Sequence, residues 1–576
     1  MSAVSYTGDA SRDDHICRGS AHIPWRMSVS KDEESIVSER KGSIMGIVSL
    51  LDCTLRDGGY INNWQFGHDN IVNIFERLVS AGVDLIEIGF MDERCQADID
   101  RTIQPDSETL EKLYEGLDKG NALVVGMIDY GTCSIDHITP HDADSFMEGI
   151  RVIFKKEKRR AALDFCRQVK ELGYKVFVQA VSITSYDNDE LEELIMMVNE
   201  LEPYAFSLVD TYGLLYKHQL MHYFSFSDER LKKSIGLGYH SHNNFQLGYA
   251  NCIELLDQHI ERDIIIDGSL YGMGKSAGNT PIELLTTYMN DFRGADYKIF
   301  HLLEAIDVTI LEIFRRTPWG YSFKFFLSAA NDCHPSYVSY LMEKKKLSVK
   351  SIGEVLAAIP EEKKLNYDAA LIEKLYVDYQ RIACDDGKDF EKLAQRFADK
   401  EIFLLGPGAS IEKDRDKICK YRAEHECLTI SVNFMPELFE LDYVFISNAK
   451  RYVQLSTKLS RIQGKTELIA TSNVTKAKGV FDFVLSYENL LDEEAMIIDN
   501  PMIMLMRLLN QIGAGKIIFA GFDGYTRLES ANYVNPNMEH TFSREKAEMI
   551  NEDVRRSMAR LNMKVPYEFL TATLYE

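Results

Sequence analysis

No stretch of the 576-residue sequence approaches the ~20 consecutive apolar residues that a membrane-spanning helix needs, which argues against membrane insertion. Net positive charge is missing too: 65 Lys and Arg stand against 89 Asp and Glu, a balance of −24. A surface this acidic repels phosphate backbones and anionic lipid, which argues against nucleic acid and membrane surfaces as partners. The ten cysteines show no paired spacing, as expected of free thiols in a reducing compartment rather than of a disulfide framework. The opening stretch, MSAVSYTGDASRDDHICRGS, lacks the basic-then-apolar layout of a secretory signal. Together these absences lead to the expectation of a soluble, cytoplasmic protein.

What is present is an ordinary globular composition, 45% hydrophobic and 27% charged. At roughly 150 residues per domain, the length implies two to four domains. Residues 1–44 are polar and aperiodic and read as a disordered leader, with Met27 and Met45 as alternative starts. Over 45–290, short runs rich in β-branched residues alternate with amphipathic helical stretches. The runs are IVSLLDCTLRD (47–57), LIEIGF (85–90), ALVVGMID (122–129), FMEGIRVIF (146–154), KVFVQAVSI (175–183), AFSLVDTYG (205–213), SIGLGYHSHN (234–243) and IIIDGSLYG (264–272). Strand–helix alternation implies a parallel sheet with right-handed crossovers, and eight such units are the content of a (β/α)8 TIM barrel. A doubly wound open sheet would gather its polar residues at one switch point, whereas here they recur at several strand ends. Residues 291–396 read as a helical extension packing on the barrel, with apolar faces that would also serve a homo-oligomer. Over 397–576 strand-like runs return (EIFLLGPGASI, CLTISVNF, DYVFIS, TELIATS, KIIFAGFDGY), so this part reads as a Rossmann-like α/β domain. The fold class is α/β throughout.

Active sites of such barrels lie at the C-terminal ends of the strands. The first run ends in Arg56-Asp57-Gly58-Gly59 and the seventh carries His240-Ser241-His242. Side chains two apart on a strand share a face, so both imidazoles can point at one spot. One carboxylate and two imidazoles, with no thiolate, suit a divalent metal with open positions: Mn2+ first, with Mg2+, Co2+ or Zn2+ also compatible. The plain alternative is two histidines satisfied by core hydrogen bonds. Arg56 and Asp57 can likewise be a salt-bridged pair closing the strand, or a metal ligand beside a guanidinium that faces a substrate oxygen. Glu87 ends the second strand and either orients Arg56, relays a proton, or is a simple strand-end carboxylate. Gln179, on the fifth strand, either hydrogen-bonds substrate or pairs within the core.

LLDCTLRDGG, LVDTYG, HSHNN with QLGYAN, and GMGKSAGNTPIELL occur in this order over about 47–290. Together they resemble the metal-dependent lyase and synthase superfamily of 3-hydroxy-3-methylglutaryl-CoA (HMG-CoA) lyase and the pyruvate carboxyltransferases, and within it the 4-hydroxy-2-oxovalerate aldolases most. The resemblance implies that Asp57, His240 and His242 hold a metal with Asn279 as a fourth or adjacent group. It also implies that Arg56 stabilises an enolate and that Thr211 binds a substrate carboxylate. Where those aldolases carry a basic His, this sequence has Tyr60, whose phenol has an ordinary pKa near 10. The implied activity is a class II-type pyruvate aldolase joining pyruvate, as its enolate, to an aldehyde, or the reverse. Its substrate would be a 4-hydroxy-2-oxo acid or a 2-keto-3-deoxy sugar-like compound, in surface-glycan or other carbohydrate biosynthesis. The alternatives are an acyl-CoA-dependent 2-oxo acid condensing synthase, a bifunctional aldolase/glycosyltransferase, and a non-catalytic nucleotide sensor.

In the last domain Gly406 and Gly408 follow a strand, where backbone amides can cradle phosphate, although a tight turn without ligand fits equally. Its layout resembles sialyltransferase-like glycosyltransferases, with Asn500-Pro501 replacing a Ser-Gly of that pattern. A bound nucleotide or nucleotide sugar would meet Gly408, Ser410, Asn433, Asn473 and Asp523, although Asp523 also fits a helix N-cap.

Overall fold

The computed structural model describes residues 46–576 except 259, 437–438, 463, 476–480, 529–531, 536–537 and 539–544; the leader expected over 1–44 lies outside the described residues. Eight parallel strands close into a barrel: β1 Val48–Asp52, β2 Leu85–Met91, β3 Leu123–Asp129, β4 Gly149–Phe154, β5 Lys175–Ala180, β6 Ala205–Asp210, β7 Gly236–Ser241 and β8 Ile264–Gly268. Closure comes from β1, which pairs with β8 on one side and with β2 on the other. Each strand falls on one of the eight runs read from the sequence, β2 running one residue past its own to Met91. The first run is the exception in extent. Its strand stops at Asp52, and Thr54–Asp57 turns into a short helix that lifts Arg56 and Asp57 above the barrel rim.

Alternation along the strands sorts the side chains into two environments. Leu50, Ile86 and Val124 point outward to the helices, while Leu51, Leu85, Val125, Phe177, Ala205 and Ile265 fill the barrel's lower interior. Two residues further up, on the same inward face, the layer becomes polar: Glu87, Arg151, Gln179, Ser207 and Asp267, all buried. An apolar floor thus carries a polar ceiling, and the candidate site rests on it.

The segment after the barrel divides its contacts. Leu302, Ala305, Ile306 and Ile310 join the barrel's outer core, whereas the later helices lie across loops at the barrel's C-terminal mouth. Tyr212 Oη donates to the Leu365 carbonyl at 3.3 Å, Trp319 Nε1 donates to the Tyr271 carbonyl at 3.0 Å, and Lys155 Nζ reaches Asn366. This segment also has its own core of Tyr337, Leu341, Val355 and Ile372.

A second, seven-stranded parallel sheet comprises β9 Glu401–Leu405, β10 Leu428–Val432, β11 Tyr443–Ile446, β12 Glu467–Thr471, β13 Phe483–Leu485, β14 Lys516–Ala520 and β15 Tyr567–Phe569. Its order is β13-β12-β11-β10-β9-β14-β15. The direction of winding reverses between β9 and β14, as in Rossmann-like folds. The edge strands β13 and β15 escaped the sequence reading because three residues show no resolvable periodicity.

Candidate active site

Asp57, His240 and His242 each bring one ligand atom to within 4.8 Å of the others, and all three are buried. Each imidazole is held from behind. His240 Nδ1 donates to Asp267 Oδ2 at 2.8 Å, and His242 Nδ1 donates to the Asp210 carbonyl at 3.2 Å. Both rings therefore turn Nε2 towards the cluster, the second-sphere support that metal-binding histidines need. His242 Nε2 and Asn279 Oδ1 are buried with no hydrogen-bond partner. Asn279 Nδ2 meanwhile donates to Asp57 Oδ2 at 2.8 Å, so its amide oxygen is the end left over. A carboxylate, two imidazoles and an amide oxygen with unspent lone pairs fit a divalent cation. The plain reading of two core histidines leaves those unpaired acceptors without an account.

Burial favours the neutral carboxyl of Asp57, yet Arg56 and the two histidines outweigh it and hold that group well below the usual carboxylate range. Burial also lowers His240, against the opposing pull of Asp267, so the ring is neutral at physiological pH, as a ligand must be. Gly274 closes the cluster on one side. A Cβ there would sit 2.3 Å from Asn279 Nδ2 and 2.6 Å from Asp57 Oδ2.

Beneath the cluster runs a chain of buried charges. Arg56 Nη1 meets Asp57 Oδ1 at 2.5 Å, and Arg56 Nε donates to Glu87 Oε2 at 2.7 Å. The other Glu87 oxygen lies 3.1 Å from Arg151, which also pairs with Asp267. Glu87 is therefore a brace between two arginines. Gln179 spends both ends of its amide in this layer: its oxygen accepts from Arg151 at 3.2 Å and its nitrogen donates to Ser207 at 3.0 Å. That is the core pairing weighed above as one of its two readings. Thr211 stands at the mouth, where its hydroxyl oxygen accepts the Ser182 amide at 2.7 Å and its hydrogen stays free to donate.

Tyr60 lies at the rim, 38% exposed, with its ring 4.8 Å from that of Trp64. Burial of the hydroxyl end raises its pKa above the ordinary phenol value, against Arg56, so it keeps its proton at neutral pH. Arg151, Asp267 and Lys275 were not among the residues singled out from the sequence. Lys275 donates its amide to Asp57 at 3.1 Å and holds its ammonium 5.1 Å from the centre of the Tyr60 ring. The sequence did carry a signal for the first two: a lone charge inside GIRVIF and another inside IIIDG.

Residues 47–311 match the HMGL-like family model. The barrel is an HMGL-like domain. Among its relatives, 4-hydroxy-2-oxovalerate aldolase of Marinomonas sp. is 27% identical over 276 residues, covering 46% of this chain and 78% of the relative. Oxaloacetate decarboxylase of Mycobacterium tuberculosis is 23% identical over 278 residues, covering 47% and 78%. The solved HMG-CoA lyase of Acenitobacter baumannii, in complex with coenzyme A and 3-methylmalate, aligns with a TM-score of 0.39 at 14% identity, covering 48% of this chain and 93% of that one. Family and relatives together make the HMGL-like domain that of a metal-dependent lyase. No helix among the described residues is long and apolar enough to cross a membrane.

Outside the HMGL-like domain, the residues expected to meet a nucleotide scatter. Gly408, Asn433 and Asp523 line one crevice, whereas Gly406, Ser410 and Asn473 do not. The expected phosphate cradle is not formed. The Gly406 and Gly408 amides donate to the carbonyls of Ala520 and Gly521, each at 2.8 Å, and so are already spent. The glycines instead allow close chain approach, since a Cβ on Gly408 would lie 2.5 Å from the Asp523 carboxylate. Asp523 accepts from the Ser410 amide at 2.7 Å and from its hydroxyl, a bond from a distant loop; the N-cap of helix Ser410–Lys413 is Ala409, not Asp523. Asn473 is tied to Thr471 and to the Ser447 carbonyl. Asn500 caps helix Pro501–Ile512 through its side chain.

Proposed function

We propose that the barrel is a divalent-metal-dependent aldolase that makes or breaks a C–C bond between pyruvate and an aldehyde on a 4-hydroxy-2-oxo acid. The observation that carries this reading is the convergence of Asp57, His240 and His242 with two unpaired acceptors beside a braced arginine. Asp57, His240 and His242 would hold the metal with Asn279 adjacent, and Mn2+ suits that donor set. When bound, the cation supplies Lewis-acid polarisation of a 2-oxo acid.

The chain's own residues do the rest. Arg56 is fixed through Nε and Nη1, and it keeps its remaining N–H groups and full charge for the oxygen on which enolate charge develops. Glu87 positions Arg56 and does not itself reach the reacting atoms. Thr211 offers a hydroxyl to the substrate carboxylate. In the condensing direction Tyr60, which retains its proton, donates it to the aldehyde oxygen as the new C–C bond forms. The helices laid across the mouth exclude water from a site in which a free enolate would be quenched.

The test is pyruvate release, coupled to lactate dehydrogenase, over a panel of 4-hydroxy-2-oxo acids and oxaloacetate, with metal analysis of the same sample. Turnover of at least one hydroxy acid that stops on chelation and returns with Mn2+ is expected. Turnover of oxaloacetate alone would reassign the site to decarboxylation, which releases CO2 and leaves the same enolate. Activity that persists in EDTA, or in His240→Ala, sinks the metal reading. Condensation that requires acetyl-CoA would favour the synthase alternative.

A further inference from the structure

At the carboxyl ends of β9 and β14, where the second sheet reverses its winding, lies a solvent-open crevice. Open α/β sheets bind their ligands at such a point. Two parts of the chain build this one: the second domain supplies Arg451 and most of the lining, and the helical segment supplies Lys344, Lys345 and Lys346, joined to it where the Lys450 amide donates to the Lys346 carbonyl at 3.1 Å.

The balance of charge there runs against that of the molecule. The chain carries 24 more acidic than basic groups, yet the crevice presents these four cations against two carboxylates, Asp499 and Asp523. Both carboxylates are already engaged. Asp499 pairs with Lys346 and accepts from Tyr487 Oη at 2.9 Å, and Asp523 is held by Ser410. Lys344 reaches outward to Glu373 at 3.4 Å. Lys345 and Arg451 have no carboxylate within ion-pair distance among the described residues. Arg451 donates only to neutral acceptors, Gln454 Oε1 at 2.9 Å and the Met538 carbonyl at 3.0 Å.

Half-buried cations without a counter-anion are costly to hold, and an anionic ligand removes that cost. Burial correspondingly lowers the pKa of both Arg451 and Lys345. Beyond the cations, Phe522, Tyr525 and Tyr533 form an aromatic wall, the two tyrosine rings meeting edge-on at 6.4 Å.

We infer that this crevice binds an organic phosphate, with the phosphate on Arg451 and Lys345 and the organic body against the Phe522–Tyr525–Tyr533 wall. Recognition is through side chains, since the glycine-loop amides are spent. The site is independent of the aldolase reading of the barrel.

Isothermal titration of the full chain tests this with CMP, UMP, UDP, AMP, glucose 6-phosphate and inorganic pyrophosphate as separate probes. At least one organic phosphate is expected to bind more tightly than pyrophosphate. A nucleotide hit and a sugar-phosphate hit would distinguish the two sources of that chemistry. Arg451→Gln and Lys345→Gln should each weaken binding at least tenfold, while Lys420→Gln, on an exposed helix, leaves it unchanged. Lys345→Gln is the safer variant, because Lys345 holds no described ion pair whose loss would unfold the domain. Absence of heat with every probe, binding unaltered in Lys345→Gln, or pyrophosphate binding as tightly as any organic phosphate would overturn the inference.

Discussion

Asp267 touches no expected substrate atom, yet it fixes His240 through Nδ1 and anchors Arg151. Removing such a support behind a ligand histidine typically costs about 10–100-fold in metal affinity. Asp267→Asn is therefore expected to need at least tenfold more Mn2+ for half-maximal activity, read by titrating metal back into the stripped enzyme. Arg56→Lys keeps a charge but loses the fork that spans Asp57 and Glu87. It should lower kcat by about 100-fold, as expected for loss of one oriented donor, and leave the metal content unchanged. Asp52 lies deeper. Burial raises its carboxyl from 3.8 to about 7, and Glu283 and Glu87 add to the effect. The folded state thus binds a proton more readily than the unfolded one between those values, so this group makes stability fall as pH rises from about 4 to 7 and level off above. Asp52→Asn should flatten that slope and raise stability at pH 8 by at least about 1 kcal/mol, measured by thermal melts at pH 5 and 8.

At the level of elements, the site depends on turns as much as on strands. The turn after β8 brings Gly274 against Asn279 and Asp57 with no room for a methyl group. Gly274→Ala should abolish metal binding, read by metal analysis, while circular dichroism stays that of the wild type. The metal trio was legible because its spacing is local: two histidines two apart where one strand ends, and an Arg-Asp-Gly-Gly run in the turn that follows another. Arg151 and Asp267 pair across the barrel, 116 residues apart in sequence. Each looked like a stray charge until the register put both in the inward layer above Phe177 and Ile265. The Gly406–Gly408 loop misled for the same reason in reverse. Its amides are consumed by Ala520 and Gly521, and nothing in a Gly-Pro-Gly sequence reveals a partner more than a hundred residues away. The helical segment was recognised by its periodicity, but its seat on the mouth rests on single contacts from Trp319, Leu365 and Asn366 that periodicity cannot encode.

Among the described residues the apolar side chains separate into a barrel core, cores on both faces of the second domain's sheet, and a smaller core in the connecting segment. Independent cores favour independent melting, whereas the segment that lies on the barrel mouth and also lines the second domain's crevice is a route by which they can couple. The two proposed ligands provide separate handles on this question. A cation at one hundred times its Kd stabilises its own cooperative unit by about 2.7 kcal/mol and leaves an uncoupled neighbour alone. Calorimetry of the stripped chain should show two transitions. Mn2+ should raise only the one that disappears in His240→Ala, and the organic phosphate that binds the crevice should raise only the other. A single transition displaced by both ligands would mean instead that the connecting helices transmit occupancy of the crevice to the mouth of the barrel. In that case saturating organic phosphate should also change the KM of the lyase, and Lys345→Gln should remove that change.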